Sequence, residues 1–170
     1  NRTRSLTGRT GCGICGSATI EGVLKQLHPV AAGPSISPAA VLRALGELAT
    51  RQPLNQQTGT VHAAGYARLD GALELVREDV GRHNALDKLV GAVRRSEAAP
   101  PPGFIVVTSR ASFEMVQKAT VLGVPLLAAI SGPTGLAVRV AEQTGLTLVG
   151  FARGQRLTTY THPGRLQAGA

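Results

Sequence analysis

The stretch that decides the fold is FIVVTSRASFEMVQKATVLGVPLLAAISGPTGLAVRVAEQTGLTLVGF, residues 104–151. Three short apolar runs in it predict strands buried on both faces, and the two segments between them have the length of helices. The predicted elements are, in order, 104–108, 111–122, 125–130, 133–144 and 146–151. Such alternation predicts a parallel sheet joined by right-handed crossovers and covered by helices on both faces.

The upstream half predicts a helix, a hairpin and a second helix. Ser37 followed by Pro38 indicates a capped helix, which Pro53 ends. Asp70-Gly71 indicates a hairpin turn, and Arg82–Arg95 has an apolar stripe of helical spacing. The hairpin strands are expected at 60–69 and 72–76, an early helix at 17–27 and a last strand at 157–161.

This order of elements resembles the cytidine-deaminase-like fold, an α/β class with a three-layer α/β/α sandwich and a mixed sheet. The analogy predicts that the loops after residues 76, 108, 130 and 151 meet at one edge, where open α/β sheets bind ligands. A zinc deaminase also needs His-x-Glu and Pro-Cys-x-x-Cys. His83 lacks that glutamate, and Ser109 and Ser112 have the cysteine spacing without a thiol, so no metal site is expected.

The composition favours a small anionic ligand over nucleic acid. The chain has 170 residues and a formal charge of +8, and its Lys and Arg are mostly arginine, which binds phosphate with two hydrogen bonds. Aromatic residues are only 3% of the chain, too few for a base-stacking surface that follows a nucleic acid. Arg110 and Arg156 fall on the predicted edge loops and are candidate nucleotide contacts. With no run of transmembrane length and no secretory signal, we expect a cytoplasmic protein without a membrane partner.

The two cysteines of the chain lie together in Gly11-Cys12-Gly13-Ile14-Cys15-Gly16. A four-sulfur zinc site within one chain is excluded, and a disulfide between cysteines this close would constrain little of the chain. The pattern favours thiol chemistry, with residues 1–16 as a flexible segment and 17–170 as one domain. A thiol–disulfide oxidoreductase, a nucleotide-binding module without sulfur transfer, a metal clip between two chains and simple burial are the alternatives.

Five stretches together resemble one family, the formate dehydrogenase accessory sulfurtransferases of the FdhD type. They are 8–16 (GRTGCGICG), 58–64 (TGTVHAA), 78–88 (EDVGRHNALDK), 108–115 (TSRASFEM) and 159–163 (TYTHP). The resemblance covers nearly the whole chain in the family's order. It also implies a substantial segment before the cysteine motif, so the chain is expected to be part of a longer protein.

The resemblance implies a sulfur carrier. Cys12 matches the cysteine that receives persulfide sulfur from a cysteine desulfurase, and Cys15 matches the second cysteine of the motif. The sulfur acceptor is the molybdenum (or tungsten) bis-molybdopterin guanine dinucleotide cofactor destined for formate dehydrogenase, and guanine nucleotides such as GDP would mimic its arms.

Two further expectations concern the ligand site and the assembly. The cofactor-binding residues implied by the resemblance or by the edge loops are Phe151, Ala152, Arg153, Gly154, Gln155, Arg156, Ser109 and Arg110. Gln155 departs from the glycine that the family often has there, and Gly154 is expected to supply the same backbone freedom. A homodimer is expected because the cofactor has two nucleotide arms, with the small apolar residues of helix 133–144 as a candidate contact.

Overall fold

The computed structural model describes residues 29–96 and 101–167. Its strands are β1 (His62–Arg68), β2 (Leu73–Asp79), β3 (Gly103–Val107), β4 (Leu126–Ala129), β5 (Thr147–Arg153) and β6 (Arg156–Thr159). Its helices are α1 (Pro38–Thr50), α2 (Pro53–Thr58), α3 (Arg82–Arg95), α4 (Phe113–Leu122) and α5 (Gly135–Thr144), followed by one 3₁₀ turn, Pro163–Arg165.

All six strands form one mixed sheet in the order β2-β1-β3-β4-β5-β6. The strands β3, β4 and β5 are parallel, whereas β1 is antiparallel to both of its neighbours and β6 is antiparallel to β5. The carboxyl ends of β2, β3, β4 and β5 therefore share one edge, with the first residues of β1 and β6. This edge, called the carboxyl edge below, comprises residues 79–83, 109–112, 131–134 and 151–156 and confirms the predicted meeting of the loops.

Helices cover both faces of the sheet, as the sequence predicts for a three-layer sandwich. On one face α3, α4 and α5 pack over buried strand residues that include Ile105, Leu127 and Leu148. On the other face α1 packs over Phe104, Val106 and the other strand residues whose side chains lie on that face. Each such side chain, once removed from water, contributes about 1.5–3 kcal/mol. Because both faces of these strands are buried, consecutive residues are all apolar, which gives the continuous apolar runs in the sequence.

The beginning of α1 agrees with its predicted cap. Ser37 precedes the helix with extended backbone, and its Oγ accepts a hydrogen bond from the Ala40 N–H at 3.1 Å. Pro38 occupies the first helical position, where a backbone N–H would have no partner within the helix and its absence costs nothing. Local rules therefore suffice to place this end of the helix.

The sequence predicts only that Pro53 ends α1, whereas in the structure Pro53 also begins a second helix. The N–H groups of Leu54 and Asn55 in the first turn of α2 donate to the two carboxylate oxygens of Glu78, at 3.0 and 2.9 Å. Such N–H groups have no partner within the helix and need an external acceptor. The acceptor is more than 20 residues away along the chain, so no local pattern indicates it.

Other boundaries differ by a few residues, and one predicted contact is wrong. The helix expected from 111 begins at Phe113 because Ala111 forms a bridge with Pro133, and β2 continues to Asp79.

In α5, the side chains of Ala137, Val140 and Ala141 are fully buried within the chain, so this face is not free to contact a second copy. The predicted helix 17–27, Cys12 and Cys15 lie outside the described residues, and the division at residue 16 stays a prediction.

Within residues 29–96 and 101–167, no helix combines the length and the apolar character needed to cross a membrane.

Candidate functional site

The loops of the carboxyl edge are joined to one another by backbone hydrogen bonds. The Ile130 N–H donates to the Val107 carbonyl at 3.1 Å, and the Thr134 N–H donates to the Ala111 carbonyl at 3.0 Å. The Phe151 N–H then donates to the Ser131 carbonyl at 3.3 Å. The sheet ladder thus continues past the strand ends, and the loops after β3, β4 and β5 form one connected surface.

Phe151 is the most unusual residue of this surface. It lies in a bulge between Gly150 and Arg153, has a φ of 49° although it is not glycine, and remains 54% exposed. A bulky residue in the left-handed region is rare, and bulges next to functional sites often redirect a side chain. Its ring rests on Gly132, where an added Cβ would lie 2.7 Å from the ring. An exposed aromatic face is therefore held at the carboxyl edge.

The hairpin from β5 to β6 places two arginines side by side. Arg153 and Arg156 are paired across the strands, and both are exposed. Gly154 takes a φ of 60° at the first position of the two-residue turn, whereas Gln155 does not take a positive φ. Glycine at that position suits the hairpin turns that match strand twist. The expectation that Gly154 supplies the backbone freedom of this loop is confirmed.

The cations of this edge are not neutralised within the described residues. Arg110, Arg153 and Arg156 form no ion pair with any carboxylate of residues 29–96 or 101–167. Like charges opposite each other on neighbouring strands are destabilising unless an anion lies between them. Guanidinium groups bind phosphate with two parallel hydrogen bonds. The edge therefore has the charge and the donors for a phosphorylated ligand.

Two of the residues predicted for the site are turned away from solvent. Ser109 is only 4% exposed, and its Oγ donates to the Arg110 carbonyl at 3.0 Å. Ala152 is 1% exposed and packs in the core on the α1 side of the sheet. The predicted residues whose side chains are exposed at this edge are Arg110, Phe151, Arg153, Gln155 and Arg156.

The acidic residues of the motif 78–88 hold the fold together at this edge. Glu78 binds the first turn of α2, as described above. Asp79 accepts hydrogen bonds from the Gly81 N–H at 2.9 Å and the Asn84 amide at 3.2 Å, and pairs with Lys88. The Lys88 ammonium, followed by the Gly81 N–H, lowers the pKa of Asp79 to about 2. The two carboxylates are thus occupied within the fold: Glu78 at the first turn of α2, and Asp79 at the start of α3.

His83 lies in a polar cluster that sequence reasoning did not assemble. Its Nε2 is 2.8 Å from a Glu114 carboxylate oxygen and 3.1 Å from Ser112 Oγ, and the ring is partly exposed. Burial lowers the pKa of His83, while the Glu114 carboxylate opposes that change. The signal available in the sequence was the deaminase spacing, because His83 and Ser112 fall near zinc-ligand positions of that fold. The structure brings these two positions together with a carboxylate beside them and no thiol.

Metal-binding side chains do not gather anywhere in the part of the chain that the structure describes, where no three His, Cys, Asp or Glu residues are grouped suitably. Two cavities bounded by those residues lie at the opposite edge of the sheet, called the amino edge below. The larger, about 470 Å³, is lined by Tyr66, Gly103 and Pro125 among others. The smaller, about 330 Å³, adjoins His162 and Arg165.

Comparisons with known proteins agree with the fold and the motifs. A "Sulfur carrier protein FdhD" from Variovorax paradoxus is 57% identical over 165 residues, which cover 97% of this chain and 59% of that protein. A protein of the same name from Bordetella bronchiseptica is 53% identical over 167 residues, covering 98% of this chain and 60% of that protein. The chain thus spans about three fifths of the length of the curated relatives it matches.

The fold is also found in a crystal structure named as that of a formate dehydrogenase accessory protein from Desulfotalea psychrophila. Its TM-score is 0.74 at 29% identity, over 85% of this chain and 62% of that chain. The family model described as "FdhD/NarQ family" matches residues 1–167, which includes both cysteines and the whole carboxyl edge. The chain belongs to the FdhD/NarQ family.

Proposed function

We propose that this chain is a sulfur carrier, a sulfurtransferase that takes sulfur from a cysteine desulfurase as a persulfide on Cys12. The acceptor is the molybdenum bis-molybdopterin guanine dinucleotide cofactor of formate dehydrogenase, which is the substrate of the transfer. The observation that carries the proposal is the family match over residues 1–167, which includes the Cys-x-x-Cys motif, together with relatives named as sulfur carriers.

The chemistry needs two thiols with different tasks. The Cys12 thiolate attacks the outer sulfur of the desulfurase persulfide, so the sulfur moves to Cys12 and the desulfurase thiolate leaves. Cys15 can then attack Cys12 Sγ, which forms a Cys12–Cys15 disulfide and releases the outer sulfur as hydrosulfide for the acceptor. Arg2, Arg4 and Arg9 precede the motif in sequence and would favour the thiolate form.

The carboxyl edge supports binding of the guanine nucleotide arms of the cofactor. Arg110, Arg153 and Arg156 supply guanidinium donors for a pyrophosphate, and the exposed ring of Phe151 supplies a face on which a base can stack. A low aromatic content does not oppose this function, since one nucleotide needs one stacking partner. GDP is the simplest probe of the site.

The cellular setting and the assembly belong to the same proposal. Reduced thiols suit the cytoplasm, where glutathione and thioredoxin keep cysteines from forming disulfides. A homodimer would present two equivalent sites to the two nucleotide arms of one cofactor. With the inner face of α5 used for packing within the chain, the contact must involve other surfaces.

The test is intact mass spectrometry after incubation with a cysteine desulfurase and cysteine. We expect a gain of about one sulfur mass, which a thiol reductant removes because a persulfide is a reducible bond. The Cys12→Ala variant should gain none, whereas Cys15→Ala should still be loaded but release its sulfur slowly. Loading of Cys12→Ala to the level of the unmodified chain would overturn the assignment of the carrier cysteine.

A further inference from the structure

The motif 78–88 contains one charged side chain that neither the fold nor the nucleotide site described above uses. This residue is Arg82, the first of α3, which lies at the carboxyl edge directly after the N-cap residue Gly81. Its Nε is fully buried and makes no hydrogen bond, although the residue as a whole is partly exposed. In the part of the chain that the structure describes, no other buried or half-buried side chain leaves a polar atom in this state. A buried donor without an acceptor costs free energy, most of all on a charged group, and so requires an explanation.

The carboxylates on the elements around Arg82 are bound to other groups. Arg82 itself forms no ion pair with any carboxylate of residues 29–96 or 101–167. The acidic residues at the end of β2, on α3 and at the start of α4 have these partners: Glu78 the first turn of α2, Asp79 Lys88, Asp87 Lys118, and Glu114 His83. A cation that is partly removed from water needs an opposite charge, and the described fold does not supply one.

The position of Arg82 in its helix makes the cation less favourable still. The N-terminal end of a helix carries a partial positive charge, which favours anions and disfavours cations. The first turn of α3 contains no acidic residue, and its N-cap, Gly81, has no side chain to cap the helix. The fold therefore keeps a cation at a position where its own stability would favour an anion.

We propose that Arg82 binds a phosphate group of the nucleotide at the carboxyl edge, in addition to Arg110, Arg153 and Arg156. This inference rests on the proposed nucleotide binding by that edge. Phosphate oxygens supply both the negative charge and the hydrogen-bond acceptors that the guanidinium lacks in the described fold. They also bring negative charge to the start of α3, where a helix favours it. Because Arg82 is partly exposed, an anion can reach its guanidinium from the solvent side.

The test compares ligand affinity with folding stability in Arg82→Met, which keeps a straight side chain but removes the charge and the donors. We expect GDP binding, measured by isothermal titration calorimetry, to weaken about 10- to 100-fold through the loss of charge-assisted contacts. The urea midpoint of Arg82→Met should be no lower than that of the unmodified chain, because a residue kept for binding does not contribute to folding. Arg82→Lys keeps the charge without the planar fork of donors and should bind GDP with intermediate affinity.

The matched control is Arg95→Met, which removes the same charge from the other end of α3, at an exposed position. This variant should bind GDP as the unmodified chain does. An equal affinity for GDP in Arg82→Met and Arg95→Met would overturn the proposal. A lowered urea midpoint in Arg82→Met would also overturn it, since the guanidinium would then have a partner within the fold.

A second measurement uses the unmodified chain and does not require a variant to bind nucleotide. In proton–nitrogen NMR spectra, the Nε–H signal of Arg82, identified by its absence from Arg82→Met, should shift on addition of inorganic pyrophosphate. The Nε–H of Arg165, which donates to the Ala32 carbonyl, should stay in place. An Arg82 signal that does not respond to pyrophosphate contradicts the inference. Failure of the proposed function looks different, because pyrophosphate would then shift the Arg82 signal while the chain neither bound GDP nor gained sulfur from a desulfurase.

Discussion

The two edges of the sheet differ in what they offer a ligand. The amino edge has two cavities, of about 470 and 330 Å³, yet the Arg165 guanidinium beside the smaller one is already occupied. Arg165 donates to the carbonyls of Ala32, Pro125 and Gly145 and to Thr147 Oγ1. The carboxyl edge holds cations without carboxylate partners among the described residues, the exposed ring of Phe151 and the partly exposed His83. The two described cavities and the unpaired arginines therefore lie at opposite edges of this sheet.

Removing two cations from the carboxyl edge tests this difference most directly. The Arg110→Ala, Arg156→Ala double variant should weaken GDP binding at least about 100-fold, because each charge-assisted contact contributes about 1.5–3 kcal/mol. Isothermal titration calorimetry measures the change. An Arg95→Ala, Arg139→Ala double variant removes the same charge from exposed helical positions and should bind GDP as before. Equal affinity in both double variants would abolish the distinction between the edges.

Arg165→Met tests the amino edge by removing its clamp. We expect a loss of about 2–4 kcal/mol in the free energy of unfolding, since several carbonyl groups lose a charged donor. Urea denaturation measures this free energy. The stability of Arg165→Lys should lie between those of the unmodified chain and Arg165→Met, because lysine keeps the charge but not the fork of donors. GDP affinity of the folded protein should stay unchanged. A parallel loss of affinity would show that the clamp also supports the nucleotide site.

Gly132→Ala sharpens the description of the carboxyl edge. The new Cβ would lie 2.7 Å from the ring of Phe151, so the ring must move. We expect GDP binding to weaken by about 1–2 kcal/mol, a typical contribution of one stacked base. Gly135→Ala is the control, because a Cβ there meets no atom within 4 Å. A GDP affinity in Gly132→Ala equal to that of the control would exclude Phe151 as a stacking partner.

The smallest expected effect is a loss of folding stability when the pH is lowered. The pKa of Asp79 is about 2 in the folded chain, below the ordinary value of 3.8, because of Lys88 and the Gly81 N–H. Its stabilising contribution is therefore complete above pH 3.8 and is lost as the pH falls towards 2. Asp79→Asn should flatten this part of the stability curve, measured by urea denaturation at several pH values. A variant with the same acid dependence as the unmodified chain would assign the acid sensitivity to other carboxyl groups.

Local and periodic patterns predicted most of the fold. The apolar runs between 104 and 151 specified buried parallel strands, and Ser37-Pro38 specified the start of α1, because both depend on neighbouring residues. The helix at Pro53 escaped prediction because its stabilising acceptor, Glu78, comes from a distant strand. A pattern within a few residues cannot contain that information.

In the candidate site, too, the sequence predicted what depends on local patterns and strand order, but not what depends on contacts between distant residues. The arginines could be assigned to the edge from strand order alone, since parallel strands bring their carboxyl ends together. The approach of His83 to Glu114 could not, because it depends on how two helices pack side by side. The positive φ of Phe151 arises from a bulge between two strands, and phenylalanine gives no local signal for that conformation.

The hydrogen bonds that carry the ladder beyond the strand ends have a consequence for recognition. Loops tied through Ile130, Thr134 and Phe151 have already lost much of their conformational entropy before a ligand arrives. A nucleotide that binds there need not order the backbone, so more of its contact energy is expressed as affinity. The amide protons of these loops should accordingly exchange with solvent on the slow timescale of the sheet, and binding should change their protection little.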